Sequence, residues 1–476
     1  MSLVTHLKKL FRTKPLVGHQ DTDLKRTLSG FDLTLLGIGA IIGAGIFVLT
    51  GIVAATQAGP GIIFSFILAG LACVFTALAY AELSTSIGGC GSAYGYAYAG
   101  FGEFIAWIIG WDLLLEYGVI VSAVAVGWSG YFNNVLTALD LELHISLAKN
   151  IFEGGFINIS AVVIVLVISC LLAVGVKESK HFNSAMVFIK LITIAVFIGI
   201  ALFNVNPSNW QPFIPFGWLG VVEGAALIFF SYIGFDAIST AAEETRDPQR
   251  DLPRGILGSL VVCTLIYMLV GGLLTGIAPY TSLNVNSPVS AALLNLGYDF
   301  AGGLVAAGAI AGLSTVLLVM FYGLTRIFLA MSRDGLVPSR FALVNKKTHT
   351  PVRIIVIFGI VIAVISGFAP MKAIAELANI GTLMAFTIVC AGVLVMRYTH
   401  PNLHRPFKVA FSPWIPLLGI IFCVYLMLNL PVETWIRFGI WMAIGAVLYF
   451  IYGFYHSRLA TGVAPNPDEA RIDDAP

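Results

Sequence analysis

The chain has 476 residues, 58% of them hydrophobic and 11% charged, with a formal net charge of +1. Soluble domains carry roughly a quarter charged residues, so this composition excludes a soluble globular protein and points to one built into lipid. Six cysteines without a CxxC pair and eight histidines confined to loops and helix ends argue against a disulfide framework or a metal site.

Residues 1–30 are polar and basic, and the apolar run behind them is too long for a signal core. They read as a cytoplasmic arm, with Lys8, Lys9, Arg12 and Lys14 near anionic lipid. Apolar runs follow near 32–57, 61–83, 103–133, 157–176, 181–204, 219–243, 255–277, 302–333, 352–369, 373–396, 412–430 and 435–455. A spanning helix needs about 20 mainly apolar residues. Because lipid offers backbone groups no water, such runs are helices or a closed barrel. Their length and lack of strict alternation exclude the barrel, so the expected fold is an all-α integral membrane protein of about 12 transmembrane helices.

Charge placement sets the orientation. With a cytoplasmic N-terminus, all 26 Lys and Arg lie inside or at inner helix ends except four. Lys149, Lys372 and Arg437 fall outside, and Lys190 falls within a span. This asymmetry places both termini in the cytoplasm of a multi-pass cell-membrane protein. Residues 84–100, STSIGGCGSAYGYAYAG, fit neither a P-loop nor GxGxxG and have no strand before them; they read as a flexible aromatic connector. The tail 460–476 has the Pro, Ala and acidic content of a disordered end.

Within the first run, GIGAIIGAGIF (37–47) places four glycines in nine positions. Gly39 and Gly43 form a GxxxG pair suited to close helix packing, yet the run from Asp32 to Gln57 has its midpoint at Ala44, inside Gly43-Ala44-Gly45. A break there would bare amide N–H groups in mid-bilayer. The sixth run has its midpoint at Ile233, in FFSYIGFD (229–236), where Ser231 and Gly234 weaken the helix. Two interrupted spans five apart are the mark of an inverted-repeat transporter with its site at the midplane. The divisions expected are a first repeat over 31–204, a second over 205–396, and two further helices over 397–459.

Lys190, Glu116 and Met320 lie at the same depth. Lys190 is nine residues beyond His181, about 13 Å along a helix. An ionisable group at the bilayer centre costs about 2.5–3.5 kcal/mol even on the lenient insertion scale, so it marks a functional pathway by default. Glu116 forms an i, i+4 pair with Asp112 and is open to a direct role or to simple hydrogen bonding. Asp236 either caps the break in the sixth span or handles protons. Met320 packs the core or limits the pocket.

Free N–H groups of a broken helix suit a carboxylate, and free carbonyls at the preceding half-helix suit an ammonium. Two such breaks side by side fit a zwitterion. An amino acid would place its carboxylate on the amides of Gly43, Ala44 and Gly45 and its amino group on the carbonyls of Phe230, Ser231 and Ile233. A buried Lys190 could occupy the place of a sodium ion and exchange a proton, which favours proton coupling. No cofactor is called for.

GIGAIIGAGIFVLTG with AGPG after it, AYAEL (79–83), GWDLLLEYG, FFSYIGFDAISTAAEETRDPQRDLP and TRIFLAMSRDGLVP together resemble the amino acid, polyamine and organocation (APC) transporter superfamily. More specifically they resemble bacterial relatives of the cationic amino acid transporters, over about residues 25–455. The resemblance implies a LeuT-like fold, a 5+5 inverted repeat plus two helices. It implies substrate contacts at Ile41, Gly43, Ala44, Gly45, Phe230, Ser231 and Ile233, a proton-coupling Lys190, and acidic positions near the site at Glu116 and Asp236. Ala44 departs from the hydroxyl residue frequent in close relatives. Met320 is larger than its match in relatives that carry arginine or lysine, which implies small neutral substrates such as alanine.

The expected partners are an amino acid and the lipid bilayer, with a small single-span membrane protein as a further candidate and no nucleic acid. Proton-coupled uptake leads; an amino acid or amine exchanger, a cationic amino acid transporter and a non-transporting sensor are the alternatives. A membrane enzyme is disfavoured, since no nucleophile and base pair stands out.

Overall fold

The computed structural model describes residues 12–13, 28–87, 93–141, 143–175, 180–345, 348 and 350–461. Most of the expected N-terminal arm, residues 462–476 of the expected tail, and the glycines at 88, 89 and 91 lie outside the described residues. Every regular element among the described residues is helical. Eight stretches are long and apolar enough to cross a membrane, and four shorter apolar helices accompany them: Gly30–Ile41, Ile159–Val174, Val352–Phe368 and Trp414–Leu428.

These trace the twelve expected runs. The first span joins Gly30–Ile41 to a helical stretch over 45–58, and the chain turns at Gly59-Pro60-Gly61 into the second, Ile62–Ile87. Then follow Glu103–Ala138, Ile159–Val174 and Lys180–Phe203 as the third to fifth. The sixth occupies 217–244; the seventh to eleventh are Pro248–Ile277, Asp299–Arg333, Val352–Phe368, Met371–Thr399 and Trp414–Leu428; the twelfth occupies 432–456.

Local sequence sets where helices start. Ser29 and Asp32 form a capping box at the first, each side chain bonding the other residue's amide at 3.3 and 3.0 Å. Asn158 accepts from Ala161 N at 3.2 Å to start the fourth. Pro248 opens the seventh, where its missing N–H costs nothing.

The first, second, sixth and seventh spans pack on one another, and the third, fourth, eighth and ninth form a second group. The fifth and tenth bridge them: the fifth touches the first, seventh and eighth, and the tenth touches the second, third and sixth. The twelfth is tied to the third by a pair of tryptophans. Trp111 Nε1 donates to Trp441 O at 2.9 Å, Trp441 Nε1 donates to Trp111 O at 3.1 Å, and the rings stack 4.4 Å apart.

The connector expected over 84–100 is corrected. The second span runs on to Ile87, and Ala93–Gly100 is a helix with Tyr94, Tyr96 and Tyr98 buried. The rings find cover and partners: Tyr94 Oη donates to Asp334 at 2.6 Å, and Tyr96 meets Tyr80 edge-on. Burying three aromatic rings supplies what this glycine-containing stretch lacks in helix propensity.

Candidate functional site

Both expected interruptions are present, and side chains account for where they fall. The first half-helix ends at Ile41; Ile42 is extended (φ −72°, ψ 103°), and the chain resumes in a wide π-type turn over Gly45–Leu49. A continuing α-helix would use the carbonyls of Gly39, Ile41 and Ile42 to accept from residues four further on. Side-chain donors meet those acceptors instead. Lys190 Nζ donates to Gly39 O at 2.8 Å and Ile42 O at 3.0 Å, and Tyr267 Oη donates to Ile41 O at 2.9 Å. The break therefore begins at Ile42, one residue before the glycine cluster. The amides of Gly43, Ala44 and Gly45 have no hydrogen-bond acceptor among the described residues.

The sixth span is helical over Gly217–Ile228, tightens over Phe229–Tyr232, and breaks at Ile233 (φ −59°, ψ 135°) and Gly234. Gly234 has φ +115°, a conformation side chains resist, and a Cβ there would lie 2.9 Å from Ala40 O. A Cβ on Gly45 would collide with Ser231. Two glycines thus let the two breaks touch. Beyond Gly234 the chain forms a 3-10 helix over Phe235–Glu244 in place of the α-helix expected there.

Tyr267, on the seventh span, joins the breaks. Its one hydroxyl hydrogen is shared between Ile41 O at 2.9 Å and Ser231 O at 2.8 Å. Asn379, on the tenth, donates from Nδ2 to Ala226 O and Leu227 O, both at 2.8 Å. Sequence reasoning missed both residues. An Asn inside an apolar span is itself a signal, whereas Tyr267 is one tyrosine among sixteen.

The remaining expected residues surround this junction. Lys190 is 1% exposed, so its ammonium is held wholly by protein. Hydrogen bonds to charged groups are worth about 1.5–3 kcal/mol each, so two of them offset a burial cost of the order given above. The Lys190 stem lies on Gly312 of the eighth span, where a Cβ would come within 2.9 Å. One turn on, Val316 lies where a Cβ built on Gly43 would meet its Cγ2 at 3.5 Å, and one further turn brings the buried Met320. Residues four apart share a helix face, so Met320 lies on the same face of the eighth span as Val316. Phe230 and Ile233 are buried; Phe230 O also accepts from Ile233 N at 3.3 Å.

Glu116 approaches from the third span beside Gly381 of the tenth, a Cβ on which would lie 3.8 Å from Glu116 Cβ and 2.7 Å from Asp112 Oδ1; Thr382 Oγ1 donates to Ala378 O at 3.0 Å. Asp236 follows the break directly, in the first turn of Phe235–Glu244. Glu116 Oε2, both carboxyl oxygens of Asp112 and Ser231 Oγ are buried without a partner among the described residues. Native interiors satisfy about 90% or more of such atoms; the other exceptions among the described residues are Asn379 Oδ1 on the tenth span and Arg12 Nη1, Gln57 Oε1, Tyr96 Oη and Asn150 Nδ2, away from the junction. Chemically, the junction offers free amides, carbonyls with spare lone pairs, a buried ammonium and buried carboxyls.

Comparison with known proteins gives the family. Residues 28–452 match the family model described as amino acid permease. The chain is 47% identical to the methylthioribose transporter of Bacillus subtilis, over 95% of this chain and all of that protein. It is 49% identical to the branched-chain amino acid permease BcaP of Bacillus subtilis, over 92% of this chain and 95% of that one. It is also 37% identical to the vacuolar cationic amino acid transporter 4 of Arabidopsis thaliana, over 80% of this chain and 64% of that protein. A multi-pass helical chain with two spans broken against each other, matched over nearly its whole length, belongs to the amino acid permease family of the APC superfamily of transporters.

Proposed function

We propose that this protein imports small neutral L-amino acids such as alanine across the cell membrane by proton-coupled alternating access, with both termini cytoplasmic. The observation that carries the reading is the row of unbonded amides at Gly43, Ala44 and Gly45, set against Ser231 of the other break. These amides receive the substrate carboxylate, and the spare lone pairs of the Phe230, Ser231 and Ile233 carbonyls receive its ammonium. Met320 shortens the pocket, which favours a short side chain. Lys190 carries the coupling: protonated, it ties the fifth span to the first half-helix, and on losing its proton it lets go. Glu116 and Asp236 serve proton movement beside the sixth span.

A second reading, uptake of branched-chain amino acids, is favoured by the 49% identical relative from Bacillus subtilis, a branched-chain amino acid permease. Proteoliposome uptake of labelled alanine, valine, leucine and arginine, with and without an inward proton gradient, separates these. Alanine entry into substrate-free liposomes that speeds up with the gradient supports the proposal. Preference for valine and leucine selects the second reading. Entry that needs internal amino acid and ignores the gradient identifies an exchanger and overturns the coupling.

A further inference from the structure

The first and sixth spans are each held near the end of their leading α-helix, by the fifth and tenth, although Ala226 and Leu227 lie six to seven residues before the Ile233 break whereas Gly39 and Ile42 lie at the first break itself. Lys190 on the fifth donates two hydrogen bonds to carbonyls at the end of the first half-helix, Gly39 O and Ile42 O. Asn379 on the tenth donates two to carbonyls in the last turn of Gly217–Ile228, Ala226 O and Leu227 O. Both side chains are essentially fully buried. The spacing of five spans is the same for the holders and for the held.

We propose that Asn379 is the repeat-related counterpart of Lys190, a positioning residue that keeps the sixth-span break open and fixed, and that the two clamps differ in one respect: only the first can be switched. An ammonium can lose its proton and with it the charge that strengthens both of its hydrogen bonds, whereas a carboxamide keeps its two N–H groups unchanged throughout the physiological range. Its orientation is unambiguous, because two carbonyl oxygens face the nitrogen and only the NH2 end can donate to both. The sixth half-helix is then the stationary jaw, and the first, held by Lys190, is the one that moves.

This inference rests on the two-break reading of the site but not on which amino acid is carried. The test is hydrogen–deuterium exchange on the purified full-length protein without substrate, comparing wild type with Asn379→Leu and Lys190→Ala. Asn379→Leu removes the donors at nearly constant volume. Its amides over 229–235 are expected to exchange at least tenfold faster, with those over 42–47 unchanged; Lys190→Ala gives the reverse pattern. Asn379→Ser, which keeps one donor, shows the same localisation at smaller amplitude and serves if the leucine variant does not fold. In alanine counterflow at equal pH on both sides, Asn379→Leu raises the half-saturation concentration about tenfold while maximal exchange falls less than twofold. Wild-type exchange over 229–235 in both Asn379 variants, or a uniform rise across all spans, overturns the proposal. Failure of counterflow alone, with the exchange pattern as expected, counts against alanine as substrate and leaves the clamp standing.

Discussion

Lys190 concentrates the argument at the scale of single residues. Its ammonium meets two carbonyls that a continuing helix would need, so one side chain both breaks the first span and holds the broken end. Lys190→Ala is expected to abolish proton-driven uptake while leaving amino acid binding measurable by thermal shift; full uptake by that variant refutes the coupling role. Tyr267→Phe strips the shared donor from Ile41 O and Ser231 O. A buried acceptor left unsatisfied costs about 1–3 kcal/mol, so the variant should unfold at a lower temperature and bind substrate about tenfold more weakly, both readable in one thermal-shift titration. Met320→Ser empties space one turn from Val316, which a Cβ on Gly43 would meet. Uptake should then extend to larger side chains, and an unchanged substrate profile would place the pocket limit elsewhere.

Among the helices, one buried ion pair explains a motif that the transport chemistry does not use. Glu82, within AYAEL on the second span, is 1% exposed and accepts from Arg397 Nε of the tenth span at 2.8 Å and from Val409 N at 2.7 Å. Arg405 stands 3.6 Å away and in turn donates to Met396 O and His400 O. The cluster fastens the second span to the tenth and to the chain leading into the eleventh. Removing one partner of a buried pair leaves the other charge uncompensated and typically costs 3–5 kcal/mol. Glu82→Ala should therefore lose about 3 kcal/mol or more of stability in detergent, seen as a lower unfolding temperature, with the substrate preference of the surviving protein unchanged.

For the molecule as a whole, much was legible in sequence because lipid enforces simple rules. A solvent that hydrogen-bonds nothing makes each long apolar run a helix, so spans such as Glu103–Ala138 and Asp299–Arg333 could be marked within a few residues. The breaks were legible because glycine and serine stood at the centres of two such runs. Their register was not, because it depends on donors from distant spans: Lys190 and Tyr267 move the first break to Ile42, and Asn379 holds the second. The Ala93–Gly100 helix was missed for a related reason, since its glycine content spoke for a loop while its tyrosines are settled by Tyr80 and Asp334, remote in the chain. Short-range patterns report what a segment can do alone, and contacts between spans decide the rest.

The central claim is that two unwound helices grip both charged ends of one amino acid, and electron cryo-microscopy of the protein with saturating alanine tests it most directly. The account predicts density between the breaks, with the carboxylate within hydrogen-bonding distance of the Gly43, Ala44 and Gly45 amides and the amino group on the carbonyls of Phe230, Ser231 and Ile233. Helices that run unbroken through 42–43 and 233–234, or ligand density bound elsewhere, would contradict it.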